Sequence, residues 1–197
     1  LKSGELSGIY VFYGDEDYLK EHSLNQLKKA VIPELDEFSF IETAKDDFDL
    51  ERFYEDVSLC PFTSEKKLLV LRNISPAALK ESEKKAVMGL LEDVPPYTVI
   101  AFYFDSMFTS GDYTVKQKRI SEIKQLSKVG ALLIDFKLRE QDELVRWVLR
   151  HFKAGGVGAS TEIARFLLSY TSNDMSSLKT EIDKLISFTA GRPLTND

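Results

Sequence analysis

Apolar residues recur along the 197-residue chain with two alternating periods. Short runs that are nearly all apolar, aromatic or β-branched occupy positions 8–14 (GIYVFYG), 38–42 (FSFIE), 67–72 (KLLVLR), 98–104 (TVIAFYF) and 131–136 (ALLIDF). The third and fourth are almost continuous in apolar character, as strands covered on both faces should be. Between the runs lie stretches with helical periodicity at 17–32, 49–59, 76–93 and 113–129. Strand and helix alternating at this spacing predict an α/β domain built on a doubly wound parallel sheet. Any ligand site in such a sheet belongs at the carboxyl ends of the strands.

After Phe136 the short-period signal stops. Residues 139–154 (REQDELVRWVLRHFKA) place Leu144, Val145, Trp147, Val148, Leu149 and Phe152 mainly on one helical face. Gly155 and Gly156 then supply a left-handed stop. A second helix is predicted after Ser160, with Ile163, Phe166, Leu167 and Tyr170 as its apolar stripe. A third starts behind Asn173 or Asp174, both good N-caps, and carries Met175, Leu178, Ile182, Leu185 and Ile186. The chain thus reads as an α/β domain over 1–137 and a small three-helix domain over 138–190. Residues 191–197 (GRPLTND) have turn chemistry and no core of their own, and are expected to lead into something further on.

Charge divides at the same place. Residues 138–190 carry seven basic and seven acidic side chains, whereas 1–137 carry 18 and 24, the whole net charge of −6. An acidic chain is a poor candidate for coating DNA phosphates. With 43% hydrophobic and 29% charged residues, wholesale disorder is excluded. The single cysteine, Cys60, rules out an internal disulfide and any multi-cysteine metal site. No apolar run approaches the roughly 20 residues of a membrane-spanning helix. The opening LKSGELSG lacks the layout of a secretion signal, so a cytoplasmic location is expected.

In such a sheet the turn after the first strand is the place for a phosphate site. A phosphate-cradling P-loop needs G-x-x-x-x-G-K-[ST], which surrounds phosphates with backbone N–H groups, a lysine and a hydroxyl. The turn here reads Gly14-Asp15-Glu16-Asp17-Tyr18-Leu19, with three carboxylates where a polyphosphate would sit. Asp15 or Asp17 is expected to cap the following helix, and no cofactor or metal is expected. A phospho-receiver site would use those acids for magnesium, and Ser106 and Lys137 fit it loosely. Its acceptor aspartate is missing, however, because the third strand ends Leu71-Arg72-Asn73. His22 and His151 read as solvent-facing helical residues. Cys60, beside Leu59, Pro61 and Phe62, reads as a packed and unactivated thiol. No catalytic residue is expected.

Two other features stand out. The helix over 49–59 runs into Cys60-Pro61-Phe62, and Pro61 must end or kink it. Phe62 then either tucks into the core or projects as a rigid aromatic anchor for a partner's pocket. Lys116, Lys118, Arg119, Lys124 and Lys128 form a basic set that is either a solvated helix face or a contact to DNA backbone.

Several segments together carry a family resemblance. They are Ile9–Leu19 (IYVFYGDEDYL), Leu59–Asn73 (LCPFTSEKKLLVLRN), Phe136–Trp147 (FKLREQDELVRW) and Asn173–Leu185 (NDMSSLKTEIDKL). In this order and spacing the chain resembles the delta subunits of bacterial DNA polymerase III, the wrench of the clamp loader. The resemblance implies an AAA+-type α/β domain that is P-loop NTPase-like but degenerate, followed by a helical lid. It implies membership of a DNA-replication complex with nucleotidyltransferase activity, in which this subunit itself hydrolyses no ATP. It implies that Phe62, with Pro61 and Leu59, binds the sliding clamp (beta subunit) and helps to open the ring. Where some relatives have a leucine ahead of the aromatic residue, this chain has Pro61. Further implied partners are the gamma/tau and delta prime subunits, reached mainly through a C-terminal collar domain absent from this sequence, and primed DNA indirectly. The alternative reading is a degenerate nucleotide-binding or phosphotransfer enzyme of P-loop or receiver type.

Overall fold

The computed structural model describes residues 6–33, 37–189 and 194. The chain divides into two compact units, Leu1–Lys137 and Leu138–Asp197. In the first, β1 (Gly8–Tyr13), β2 (Phe40–Ala44), β3 (Lys67–Arg72), β4 (Thr98–Tyr103) and β5 (Leu132–Asp135) form one sheet in the order β2-β3-β4-β1-β5. Every adjacent pair is parallel. The helices of this unit are α1 (Asp17–Val31), α2 (Leu50–Ser58), α3 (Glu81–Glu92) and α4 (Tyr113–Lys124).

The strand pattern follows from burial on both faces. Phe12, Val70, Val99 and Ala101 meet Leu24, Leu27 and Val31 of α1 on one face. Val11, Leu69, Leu71, Ile100 and Phe102 meet Phe53 and Val57 of α2, Val87 and Leu91 of α3, and Ile123 of α4 on the other. Strand side chains alternate between faces, so a strand enclosed by helices on both sides has to be apolar throughout. The edge strands β2 and β5 keep several positions open to solvent.

The element pattern agrees closely with the sequence reading, with four local corrections. The second strand starts at Phe40, two residues later than expected, because Glu37–Ser39 form a 3-10 turn ahead of it. The third helix starts at Glu81, since Pro76–Ala78 close a separate 3-10 turn and the Glu83 carboxylate reaches back to the Lys80 N–H. The fourth is α-helical only to Lys124 and tightens into a 3-10 turn over Gln125–Val129, ended by Gly130 in the left-handed region. The cap of α1 is Glu16, whose carboxylate accepts from the Tyr18 N–H; Asp15 and Asp17 are engaged elsewhere.

In the second unit, α5 (Gln141–Ala154), α6 (Thr161–Tyr170) and α7 (Met175–Thr189) pack together. Leu144, Val145, Val148 and Phe152 of α5 are buried with Met175, Leu178 and Ile182 of α7. Asp174 caps α7 by accepting from the Ser177 N–H at 2.7 Å. The inward stripe of α6 differs from expectation. Ala164, Leu167 and Leu168 are buried, while Phe166 and Tyr170 stack on each other at the surface. Of the tail 191–197 only Leu194 is described, its N–H bonded to the Gly158 carbonyl; the expected linker otherwise lies outside the described residues.

The glycine pair between α5 and α6 has two separate jobs. Gly156 takes the left-handed conformation (φ 76°), and Gly155 lets α7 approach, since a Cβ there would stand 2.4 Å from Ile186 Cδ1 and 3.0 Å or less from Cγ1 and Cγ2. Gly155→Ala should therefore overpack the unit and lower its stability by about 1–3 kcal/mol, read by thermal unfolding. An unchanged melting temperature would contradict this contact.

Candidate partner-binding site

The segment from α2 to β3 begins with a helix that cannot finish itself. An α-helical carbonyl at position 57 pairs with the N–H of position 61, and position 61 is proline, which has none. Helix α2 stops at Ser58, and the cap residue Leu59 is extended (φ −67°, ψ 131°). The free carbonyls turn to donors at the beginnings of β3 and β4. Thr98 Oγ1 donates to the Val57 carbonyl at 2.9 Å and the Tyr97 hydroxyl to the Ser58 carbonyl at 2.7 Å. The Lys67 ammonium donates to the Leu59 carbonyl.

Lys67 is only 3% exposed and lies 5.8 Å from the Tyr97 ring centroid. Burial holds its ammonium below the ordinary lysine range, against the opposing pull of Asp56 and Cys60. A positive charge also suits the negative end of the helix dipole.

The far side of the loop is tied down as well. Ser64 Oγ donates to the Lys66 carbonyl at 2.6 Å and shares a hydrogen bond with Ser39 Oγ. Lys66 Nζ donates to the Leu6 carbonyl at 2.7 Å. Between these fastenings Phe62 stands 98% exposed and Leu59 65% exposed. Of the two positions open to Phe62, the structure adopts the projecting one. The expected packed thiol is corrected too: Cys60 is exposed, because it follows the extended cap residue Leu59 beyond the end of α2.

At the opposite end of the sheet, the chain's own groups fill the crevice between the carboxyl ends of β1 and β4, where the strand order reverses. Lys20, with no exposed surface, donates to the Gly14 carbonyl at 2.6 Å and the Phe104 carbonyl at 2.7 Å, and meets Asp17 Oδ1 at 2.7 Å. Asp17 also accepts from the Ser106 N–H at 3.0 Å and from its hydroxyl. Asp15 is paired with Lys116 at 2.7 Å. Asn73 and Asp105 bind each other reciprocally, at 2.6 and 3.1 Å. At the end of β3, Arg72 lies 4.4 Å from the Tyr103 ring centroid and bridges Glu21 and Glu42. A receiver domain has strand order 2-1-3-4-5; the order found here is different, which removes that half of the alternative reading.

The basic set is not brought together as one surface. Lys116 is held by Asp15, and Arg119 donates to the carbonyls of Phe108 and Ser110 at 2.6 and 3.1 Å. Lys118, Lys124 and Lys128 are exposed, but Lys118 and Lys124 are about 120° apart around α4 at ~100° per residue. His22 is exposed beside Gln26, whereas His151 is half-buried and packs 3.9 Å from the Trp147 ring. Among the described residues no helix is long and apolar enough to cross a membrane, and no group of three metal-ligating side chains occurs.

Sequence reasoning missed both buried lysines, although each had left a signal. Lys20 continues the α1 stripe of Leu24, Leu27 and Val31, and Lys67 alternates in phase with Leu69 and Leu71.

Comparisons with known proteins agree with this architecture. The family model described as DNA polymerase III, delta subunit, matches residues 10–131, more than half of the chain. The chain belongs to that family. It is 24% identical over 204 residues to the DNA polymerase III subunit delta of Bacillus subtilis, covering 98% of this chain and 55% of that protein. It is 24% identical over 193 residues to the probable DNA polymerase III subunit delta of Aquifex aeolicus, covering 94% and 51%. The chain thus spans about half the length of the curated relatives it matches. Among solved structures, the Bacillus subtilis DNA clamp loader delta protein superposes with a TM-score of 0.62 at 23% identity, over 98% of this chain and 57% of that one. A RuvB variant from Thermotoga maritima superposes with a TM-score of 0.54 at 12% identity, over 92% and 56%. The fold is of AAA+ type.

The crevice makes a prediction about acid. Burial raises the Asp17 carboxyl, but hydrogen bonds from Lys20 and Ser106 and the Lys20 charge more than reverse this and leave it below the usual carboxylate range. A carboxylate depressed by folding stabilises the protein above its unfolded value near ~3.9, and that contribution is lost as pH falls through the folded value. Asp17→Asn should be less stable than the parent at neutral pH and should show a flatter stability profile below about pH 4 in urea unfolding. Identical pH profiles for the two proteins would refute the assignment.

Proposed function

We propose that this chain carries the clamp-engaging half of a clamp-loader delta subunit. Phe62, flanked by Leu59 and presented by Pro61, inserts into an apolar pocket of the sliding clamp ring. The observation that carries the reading is an aromatic side chain held almost fully in solvent by a loop fastened at both ends. Burial of one such ring in a partner stabilises a complex by about 1.5–3 kcal/mol. Because proline fixes φ and the loop is already ordered, little conformational freedom remains to be lost on binding.

The action is binding without chemistry. A partner that holds the distorted clamp interface more tightly than the closed one shifts the ring toward the open state by that difference in affinity. Nucleotide hydrolysis belongs in this reading to other loader subunits, gamma/tau among them, which with delta prime meet the full-length protein through a region beyond this sequence. The α/β unit is the clamp-binding domain, the helical unit its lid, and the location the cytoplasm. Primed DNA is met indirectly, and of the basic set Lys118, Lys124 and Lys128 are the exposed members open to contact with its backbone. The roughly 120° between Lys118 and Lys124 around α4 favours the clamp over DNA as the direct partner.

Phe62→Ala in the full-length protein should weaken binding to the bacterial sliding clamp by about 2 kcal/mol or more, roughly 30-fold, in isothermal titration calorimetry. Folding stability should hold, because the ring contacts little in the free chain. Unchanged affinity would remove Phe62 from the interface. A fluorescent ATP analogue titrated with magnesium tests the competing enzymatic reading, and no saturable signal is expected, since Lys20 is already held by two carbonyls and Asp17.

A further inference from the structure

The three carbonyls held at the end of α2 suggest a role for the side chains that hold them. Pro61 does two things at once: it stops the helix, and it removes the N–H that the Val57 carbonyl needs. The next two carbonyls, Ser58 and Leu59, also face away from any continuing helix. All three are met by side chains from one place, the paired starts of β3 and β4, where Lys67 stands opposite Thr98 in the sheet register. Thr98 is fully buried and Lys67 nearly so, and both lie on the face that α2 covers. A helix end on a surface is ordinarily completed by water or by a glycine-based cap. Here it is completed by an ammonium and two hydroxyls from the paired starts of β3 and β4.

We propose that Lys67, with Tyr97 and Thr98, is a positioning residue for clamp engagement: by holding the carbonyls of residues 57–59 against the sheet, it fixes the direction in which Leu59 and Phe62 project. The proposal rests on the reading of Phe62 as the anchor. Arg52 and Asp56 on α2 lean toward each other at 3.8 Å, leaving Lys67 as the cation that reaches the loop's own backbone. With its donor removed, the Leu59 carbonyl has no fixed partner and the turn samples other directions. The bound geometry then has to be selected from a broader population, and apparent affinity falls by the fraction that remains competent.

The experiment is a double-mutant cycle in the full-length protein, with binding to the immobilised sliding clamp as the readout. Lys67→Met removes the ammonium while keeping the length of the side chain, and Tyr97→Phe removes one hydroxyl at a half-buried position. Each is combined with Phe62→Ala. Lys67→Met should weaken binding by about tenfold, the scale of a lost hydrogen bond to a charged donor. Tyr97→Phe should weaken it by a few-fold.

Both effects should shrink to less than about twofold once Phe62 is alanine, because a positioning residue has nothing left to position. Amide exchange over residues 59–66 should quicken in both variants. General destabilisation would lower the melting temperature without this dependence on Phe62. If Phe62→Ala alone weakens binding but Lys67→Met and Tyr97→Phe do not, the positioning role is wrong and the anchor stands. The role is equally wrong if their losses persist unchanged in the alanine background. If Phe62→Ala has no effect, the anchor itself is wrong. Should Lys67→Met fail to fold, Tyr97→Phe decides the matter by the same criteria.

Discussion

Backbone carbonyls that are shut off from water need donors, and at both ends of this sheet a buried lysine provides one. Lys20 closes the carboxyl end by binding the Gly14 and Phe104 carbonyls; Lys67 secures the amino end by binding that of Leu59. A buried ammonium is tolerated only when its protons are taken up; Lys67 binds a main-chain oxygen, and Lys20 binds two together with the Asp17 carboxylate. One end of the sheet is filled by its own side chains, and the other carries the exposed Leu59 and Phe62.

This division of labour suits the contact role proposed for the chain. The sheet is enclosed by helices on both faces and gives a rigid base, so a loop anchored to the starts of β3 and β4 inherits that rigidity. In the proposed reading, the energy for deforming a ring comes from a small buried area whose orientation is fixed beforehand. A loose loop with the same residues would make the same contacts and lose part of their value to ordering.

Much of this was legible in the residues. The continuous apolar character of β3 and β4 gave the doubly covered sheet, the helical stripes of α5 and α7 gave the second unit, and Pro61 gave the end of α2. What stayed hidden was decided by long-range partners. Whether Phe62 projected or packed depended on Thr98 and Tyr97, some 35 residues away. Lys116 and Arg119 read as free charges because Asp15 and the carbonyls of Phe108 and Ser110 are remote or silent in sequence. In α6, Phe166 and Tyr170 outrank Ala164 in hydrophobicity, yet the small residue is the one that faces inward, since close packing rewards fit over size.

The filled crevice has a consequence for access. Only Gly14, Asp15 and Glu16 join β1 to α1, and the strap is drawn tight: a Cβ on Gly14 would stand 2.5 Å from the Phe136 oxygen, which also accepts the Glu16 N–H at 2.9 Å. A ligand entering here would have to displace Lys20 and leave the Gly14 and Phe104 carbonyls without their donor. The short turn and the buried lysine therefore hold this end of the sheet together, and neither can move without disturbing the other.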